Sequence, residues 1–293
     1  MKTRLGVFIA ALLLLPLAGL LLSGHEWYEL PVGERLAEGS IAAIPVTALL
    51  LLGYALLVNF FVKIRTGNSP FGMQHNYYLA MAAAGAVLGW LIVYLNLFVA
   101  SWLSGPDHSL LQIMLCTALF ALLAPAVLIT RALLGSFTGL LKRLARGPAL
   151  PAPAPETLAF TLLPLAMLGL LGGAAWPAQL SWLLWAAPLL LLVALQLLWH
   201  ESTIFSSLTS GDWGRVACAV LAGLIVGNLA AMSHRVAGGD LAVSPLFAQA
   251  GYALFGLLCL QLGDIIAENW RGKKRSDLFK KKKFSIPIVV KKN

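Results

Sequence analysis

Charged residues are scarce in this chain of 293 residues: they make up 11% of it, and only 12 of them are Asp or Glu. A soluble domain has roughly a quarter of its residues charged, so this composition excludes an ordinary soluble globular protein. Apolar residues make up 59% of the chain, and the mean hydropathy is +0.84. The longest stretch between apolar runs, at about 23–40, is too short to fold as a catalytic domain. Any function must therefore be built from the apolar segments and their short connections.

Motifs of common enzymes are also missing. No HExxH, GxSxG, DxxxD, P-loop or GxGxxG sequence is present, which disfavours an enzyme, including one that modifies lipids. Cysteine is rare: Cys116, Cys218 and Cys259 all fall within apolar runs and form no CxxC pair. We expect these cysteines to be small packing residues without a disulfide.

Eight apolar runs are long enough to cross a bilayer as helices, since about 20 residues span its hydrocarbon core. None shows the alternation of a barrel strand. The sequence therefore predicts an all-α integral membrane protein, a polytopic bundle of eight transmembrane helices. The first run follows Lys2 and Arg4 without a clear A-x-A cleavage site, so we expect a retained helix. The runs cover about 5–22, 41–62, 77–103, 110–130, 158–175, 178–199, 216–233 and 246–263.

The distribution of positive charge predicts the orientation. With the N-terminus inside, 19 of the 21 Lys and Arg residues lie on one side, and only Arg35 and Arg235 lie on the other. The positive-inside rule then places both termini in the cytoplasm of a bacterial-type inner (plasma) membrane. Ten of the positive residues crowd into the tail 271–293, which is expected to contact anionic lipids or, alternatively, a soluble protein partner. This placement gives no reason to expect nucleic-acid binding.

A proline-rich segment divides the chain into two halves of four helices. Residues 1–146 form the first half, which ends in an amphipathic helix at about 133–146 expected in the headgroup layer. A Pro/Ala-rich linker (147–157) precedes the second half (158–270) and the basic tail (271–293).

The two halves share a short similarity. Residues 84–91 align with 222–229 at an offset of 138, which also carries spans two to four onto spans six to eight. Chance similarity and a parallel 4+4 repeat about an axis along the membrane normal are both compatible with this match. Both segments contain a GxxxG pair, Gly85/Gly89 and Gly223/Gly227, which predicts close packing of spans three and seven against other helices.

Ionisable residues near the helix ends are the candidate functional residues, because burying charge in a membrane is costly. The predicted inner-face polar cluster consists of Arg131, His200, Glu201, Asp264 and Glu268. Asp264 and Glu268 share a helix face, from which they can pair with Arg131 or Arg215, accept a proton from His200 or line a vestibule. A purely structural charge cluster is the alternative. Asp212 is predicted to cap the seventh span.

The leading functional hypothesis is non-catalytic: a small permease, or a membrane-embedded subunit of a larger complex with protein partners. The alternative is a membrane anchor of a redox complex that binds quinone or haem b. Five histidines allow two axial pairs in number, but His25, His75 and His108 fall in loops or at extreme helix ends. We therefore predict no bound cofactor or metal.

Overall fold

The computed structural model of the chain describes residues 2–23, 43–99, 109–151, 153–238 and 244–271. Within these ranges every regular element is a helix, and no strand is present. Eight of the described helices are long and apolar enough to cross a membrane, which confirms the prediction of an all-α, polytopic fold. Arg35, His25, His108 and the basic tail beyond Arg271 lie outside the described residues.

The eight long helices match the eight predicted runs, and several of them extend further than predicted. Helix α2 continues to Thr66, α5 to Gly135 and α10 to Arg271, because a helix follows its backbone hydrogen bonds past the first charged residue. The long helices are α1 (Lys2–Ser23), α2 (Ala43–Thr66), α4 (His75–Val99), α5 (Leu110–Gly135), α7 (Pro155–Ala175), α8 (Pro177–Leu198), α9 (Gly214–Val236) and α10 (Pro245–Arg271). The short ones are α3 (Pro70–Met73), α6 (Thr138–Leu144) and a 3-10 helix (Ser206–Ser210).

Helices α4 and α5 form an antiparallel hairpin in which the two helices approach closely at two glycines of α4. A Cβ atom on Gly89 would lie 2.6 Å from Phe120 Cβ, and one on Gly85 would lie 3.0 Å from Ala124 Cβ. One residue after Gly89, the Trp90 indole N–H donates to Thr117 Oγ1 at 2.9 Å. Small residues thus let the two backbones approach closely, as the GxxxG pair predicts.

Helices α9 and α10 form a second antiparallel hairpin with the same arrangement. A Cβ atom on Gly227 would lie 2.8 Å from Tyr252 Cβ, and one on Gly223 would overlap the Tyr252 carbonyl. One residue after Gly227, the amides of Asn228 and Gln249 exchange hydrogen bonds of 2.7 and 2.8 Å. In both hairpins an aromatic side chain therefore packs against the glycine pair. The residue after the second glycine forms a hydrogen bond with a polar side chain of the other helix.

The contacts between the hairpins also occur in matched pairs. Helix α2 contacts α5 and α9, while α8 contacts α10 and α4. Helix α5 packs against α9, α10 packs against α4, and α5 also contacts α10. The remaining long helices depart from this pattern, because α7 packs extensively against α8 whereas no comparable contact joins α1 and α2 among the described residues. Helix α1 packs instead against α7. That contact is again made at glycine, where a Cβ atom on Gly19 would overlap the Leu171 carbonyl.

Residues 147–150, within the predicted linker, pack against the region that joins the 3-10 helix to α9. Gly147 N–H donates to the Gly211 carbonyl and Leu150 N–H to the Leu208 carbonyl, at 3.1 and 3.0 Å. The Trp213 indole N–H donates to the Pro148 carbonyl at 2.9 Å. These bonds tie residues 147–150 to the 3-10 helix and the start of α9.

The amphipathic helix expected at about 133–146 is divided in the structure. Residues up to Gly135 belong to α5, and α6 begins at Thr138, so Ser136 and Phe137 interrupt the helix. The Ser136 side chain accepts a hydrogen bond from Arg65 Nε at 2.9 Å and donates one to the Leu133 carbonyl. A hydroxyl that bonds the backbone locally competes with helix continuation, and periodicity alone does not reveal this.

Replacing Gly223 by alanine should separate α9 from α10, because the added methyl group meets backbone atoms of Tyr252 and Gly256 that cannot turn aside. We expect a loss of about 1–3 kcal/mol in the free energy of unfolding, measured by reversible unfolding in mixed micelles. Gly251→Ala in α10 is the matched control, because nothing lies within 4 Å of its added Cβ. Equal stability of the two variants would contradict the close approach of these helices.

Candidate functional site

The described cationic side chains gather at one end of the bundle, which we call the basic end. It contains the C-terminal ends of α2 and α5, helix α6, and the start of α9. Among the described side chains of Lys and Arg, only Arg235 in the last turn of α9 lies at the opposite end. Those at the basic end are Lys63, Arg65, Lys142, Arg143, Arg146, Arg131 and Arg215.

Most of these cations lie at the surface, but Arg131 and Arg215 are partly buried. Arg65 is exposed and already has partners: it bonds Ser136 and lies over the ring of Phe137, 4.1 Å from its centre. Arg131 lies one turn before the end of α5, and among the described residues no side chain forms an ion pair or hydrogen bond with its guanidinium. It is close enough to Arg215 and Asp264 to interact electrostatically with both.

Arg215 and Asp264 form an ion pair between α9 and α10. Arg215 Nη2 donates to Asp264 Oδ2 at 2.5 Å, and the two side chains are 15% and 23% exposed. Partial shielding from water strengthens such a bond compared with one on an open surface. The pairing satisfies only part of the guanidinium, because Arg215 Nε is buried without a hydrogen-bond partner.

A cavity of about 410 Å³ opens between α5, α6 and α9 at the basic end. Arg131 and Arg215 line it together with Asp212 and Cys218, and Leu141 of α6 contributes an apolar part of the wall. Asp212 Oδ1 accepts the Gly214 N–H at 2.9 Å, but Asp212 is not the N-cap of α9 as predicted: that position is held by Trp213, whose side chain makes no cap hydrogen bond. The cavity is thus a partly polar space with two guanidinium groups in its wall.

Tyr77 is a residue of this region that the sequence did not single out. Its hydroxyl lies against α10 beside Asp264, at a place where a Cβ atom on Gly263 would come within 2.5 Å of it. Tyr77 also interacts electrostatically with Arg131. A signal was available: Tyr77 precedes Arg215 by the same offset of 138 that relates the two GxxxG segments.

The structure places the five predicted cluster residues at the basic end, and it places two of them, Arg131 and Asp264, at the cavity or next to a residue that lines it. Arg131 lines the cavity, and Asp264 joins it through Arg215. His200 is exposed after the end of α8, with an unusual φ of 53°, and its described hydrogen bond is the one from its backbone N–H to the Leu197 carbonyl. Glu201 and Glu268 are partly buried and lie outside the residues that line the cavity. A functional role for these three residues stays a prediction.

Among the residues that the structure describes, the other polar groups give no second cluster with two guanidinium groups in a cavity wall. The cysteines Cys116, Cys218 and Cys259 are all free. Within the described ranges no group of three His, Cys, Asp or Glu side chains is arranged to hold a metal ion. The cavity with its two arginines is therefore the candidate site.

The Arg215–Asp264 ion pair should show a clear coupling free energy in a double-mutant cycle of Arg215→Gln and Asp264→Asn. We expect a coupling of about 1–3 kcal/mol, because the bond is charge-assisted and partly shielded. Unfolding of the four proteins in mixed micelles measures it. A cycle of Arg65→Gln with Asp264→Asn is the control and should be additive, since Arg65 bonds Ser136. Additivity in both cycles would show that the pair contributes no net stability.

Comparisons with protein-family models, with curated proteins and with solved structures found no match to this chain. The functional argument therefore rests on the residues and geometry of the chain itself.

Proposed function

We propose that the protein is a small permease for anionic solutes and that the cavity at the basic end is one entrance of its pathway. The observation that carries this proposal is Arg131, a partly buried arginine that lines the cavity without a carboxylate bound to it. Cationic side chains inside a membrane bundle are costly and commonly mark a substrate path. A guanidinium with free donors at the mouth of a cavity attracts anions.

The matched helix contacts support a transporter. We infer that α2, α4 and α5 form one unit and that α8, α9 and α10 form its repeat, related by an axis along the membrane normal. The paired contacts and the two glycine-closed hairpins support this repeat. Parallel repeats are known in transporters, whose substrate sites lie between the repeated units. Arg131 belongs to the first unit, and Arg215 and Asp264 belong to the second.

The ion pair suggests how the two units communicate. Asp264 bonds Arg215 within the second unit while it interacts electrostatically with Arg131 of the first. An anion that binds Arg131 neutralises this charge and weakens its attraction to Asp264. Substrate binding then loosens one electrostatic contact between the units, as a cycle of alternating access requires.

The redox-anchor alternative has weaker support. His75 and His200, the two described histidines at the basic end, are both exposed, whereas axial haem ligands face the interior of a bundle. No described contact favours a quinone site, and none favours a subunit of a complex over a permease.

We also propose that the basic end faces the cytoplasm of a bacterial-type inner membrane, as the positive-inside rule implies. Helix α6 fits this position, because Lys142 and Arg143 are exposed while Leu140, Leu141 and Leu144 are partly buried. Such a helix lies in the headgroup layer and attracts anionic lipids, which the basic tail is also expected to contact.

The orientation can be tested with two single-cysteine variants in a background where Cys116, Cys218 and Cys259 are alanine. Ala145→Cys lies at the basic end and Arg235→Cys at the opposite end, and both positions are exposed. A membrane-impermeant maleimide should label position 145 only in inverted vesicles and position 235 only in spheroplasts. The reverse pattern would refute the proposed orientation.

Transport can be tested by uptake into proteoliposomes of four radiolabelled anions: phosphate, glycerol 3-phosphate, sulfate and succinate. We expect saturable uptake of at least one of them, reduced about 10- to 100-fold in Arg131→Gln, because a charge-assisted hydrogen bond contributes ~1.5–3 kcal/mol. Lys63→Gln removes an exposed charge at the same end and should retain uptake. If the wild-type protein takes up none of the four anions, the permease proposal fails.

A further inference from the structure

The cavity holds two like charges in a place only partly open to water. Arg131 has no ion-pair partner among the described residues, and Arg215 Nε is buried without an acceptor. Both guanidinium groups line the cavity and carry like charge, so they repel each other. An anion in the cavity would offset this repulsion and supply an acceptor for Arg131.

The nearby carboxylates do not take that place. Asp264 accepts its bond from Arg215 Nη2, and Asp212 accepts the Gly214 N–H. Neither forms an ion pair with Arg131. The N-terminus of α9, a helix of 23 residues, also opens in the cavity wall and adds partial positive charge there. Arg131 is therefore the arginine of this cavity to which no carboxylate is bonded within the described residues.

We propose that this cavity binds the phosphate group of a phosphomonoester, with its oxygens accepting from the Arg131 guanidinium in a wall that Arg215 also lines. A phosphomonoester has three terminal oxygens and a charge near −2, so it accepts bonds from donors on different sides and is attracted by both guanidinium groups. A carboxylate has two oxygens in one plane and a single charge, so it is attracted less strongly.

The cavity has room for a phosphate group that is carried on a larger molecule. A volume of about 410 Å³ lies in the range of small-ligand sites and exceeds the space needed by a phosphate ion. Leu141 and Ala145 of the α6 region form a less polar part of the wall, where the organic portion fits. The ester is either soluble or the headgroup of a phosphomonoester lipid, since α6 is suited to the headgroup layer. Both sources present the same group to the arginines.

This inference rests on the proposed function in that both concern the same cavity. Its test measures binding without transport, so the two proposals can fail separately. Glycerol 3-phosphate is the soluble probe, titrated into the full-length protein in detergent by isothermal calorimetry. Phosphatidic acid is the lipid probe, with phosphatidylcholine as its control, and its retention is measured by native mass spectrometry. Arg131→Gln and Arg131→Lys are compared with Lys63→Gln, which changes an exposed residue of the same end.

Binding of one probe should weaken about 10- to 100-fold in Arg131→Gln and less in Arg131→Lys, which keeps the charge but loses the planar fork. Lys63→Gln should bind as the wild-type protein does. If binding of glycerol 3-phosphate depends on Arg131, the ligand is a soluble ester. If only binding of phosphatidic acid depends on Arg131, the ligand is a lipid headgroup. If Arg131→Gln does not fold, Arg131→Lys carries the test.

The proposal is overturned if neither probe binds, or if the Arg131 variants bind as Lys63→Gln does. Binding that depends on Arg131, without uptake into proteoliposomes, retains the phosphate site and rejects the permease. Uptake of sulfate or succinate together with no binding of either probe retains the permease and rejects the phosphate site.

Discussion

Close approach of helix backbones at glycine is the constraint on which the rest of this structure depends. Lipid chains are as apolar as leucine, so burying leucine between helices yields little free energy, and contact must come from close packing. Both hairpins contain a glycine with no room for a Cβ atom, Gly89 against Phe120 and Gly223 against Tyr252, and α7 meets α8 in the same way at Gly169 and Leu183. Because these contacts involve backbone or Cβ atoms, which cannot move aside, they fix the position of one helix along its axis relative to the next helix.

The position of each helix along its axis relative to its neighbours in turn determines which polar groups meet at the basic end. The register of α9 on α10 brings Arg215 to Asp264, and the contact between α5 and α9 brings Arg131 beside them. Arg65, on α2, meets Ser136 and Phe137 instead. The arginines of the basic end thus have different contacts. Arg65 bonds the end of α5, Arg215 links α9 to α10, and Arg131 lines the cavity.

Several local features of the structure follow from the sequence. The apolar runs predict the number of long helices, and the GxxxG pairs predict which helix faces make close contacts. Each of these signals lies within one segment of the sequence. The division at Ser136 was not predicted, because it involves a hydroxyl bond to the Leu133 carbonyl that periodicity does not reveal. The docking of Gly147 on Gly211 was not predicted, because the two residues are distant in the chain.

The sequence by itself determined that the chain forms eight long apolar helices and that its cations concentrate on one side of them, since both are properties of local composition. Only the tertiary structure decided that Asp264 bonds Arg215, 49 residues away, while Arg131 lines a cavity. An acid on a helix face can meet any cation that packing brings within reach. The register of the helices determines which cation it meets. That register depends on close contacts at glycine, and the periodicity of the sequence does not identify which residue each glycine contacts.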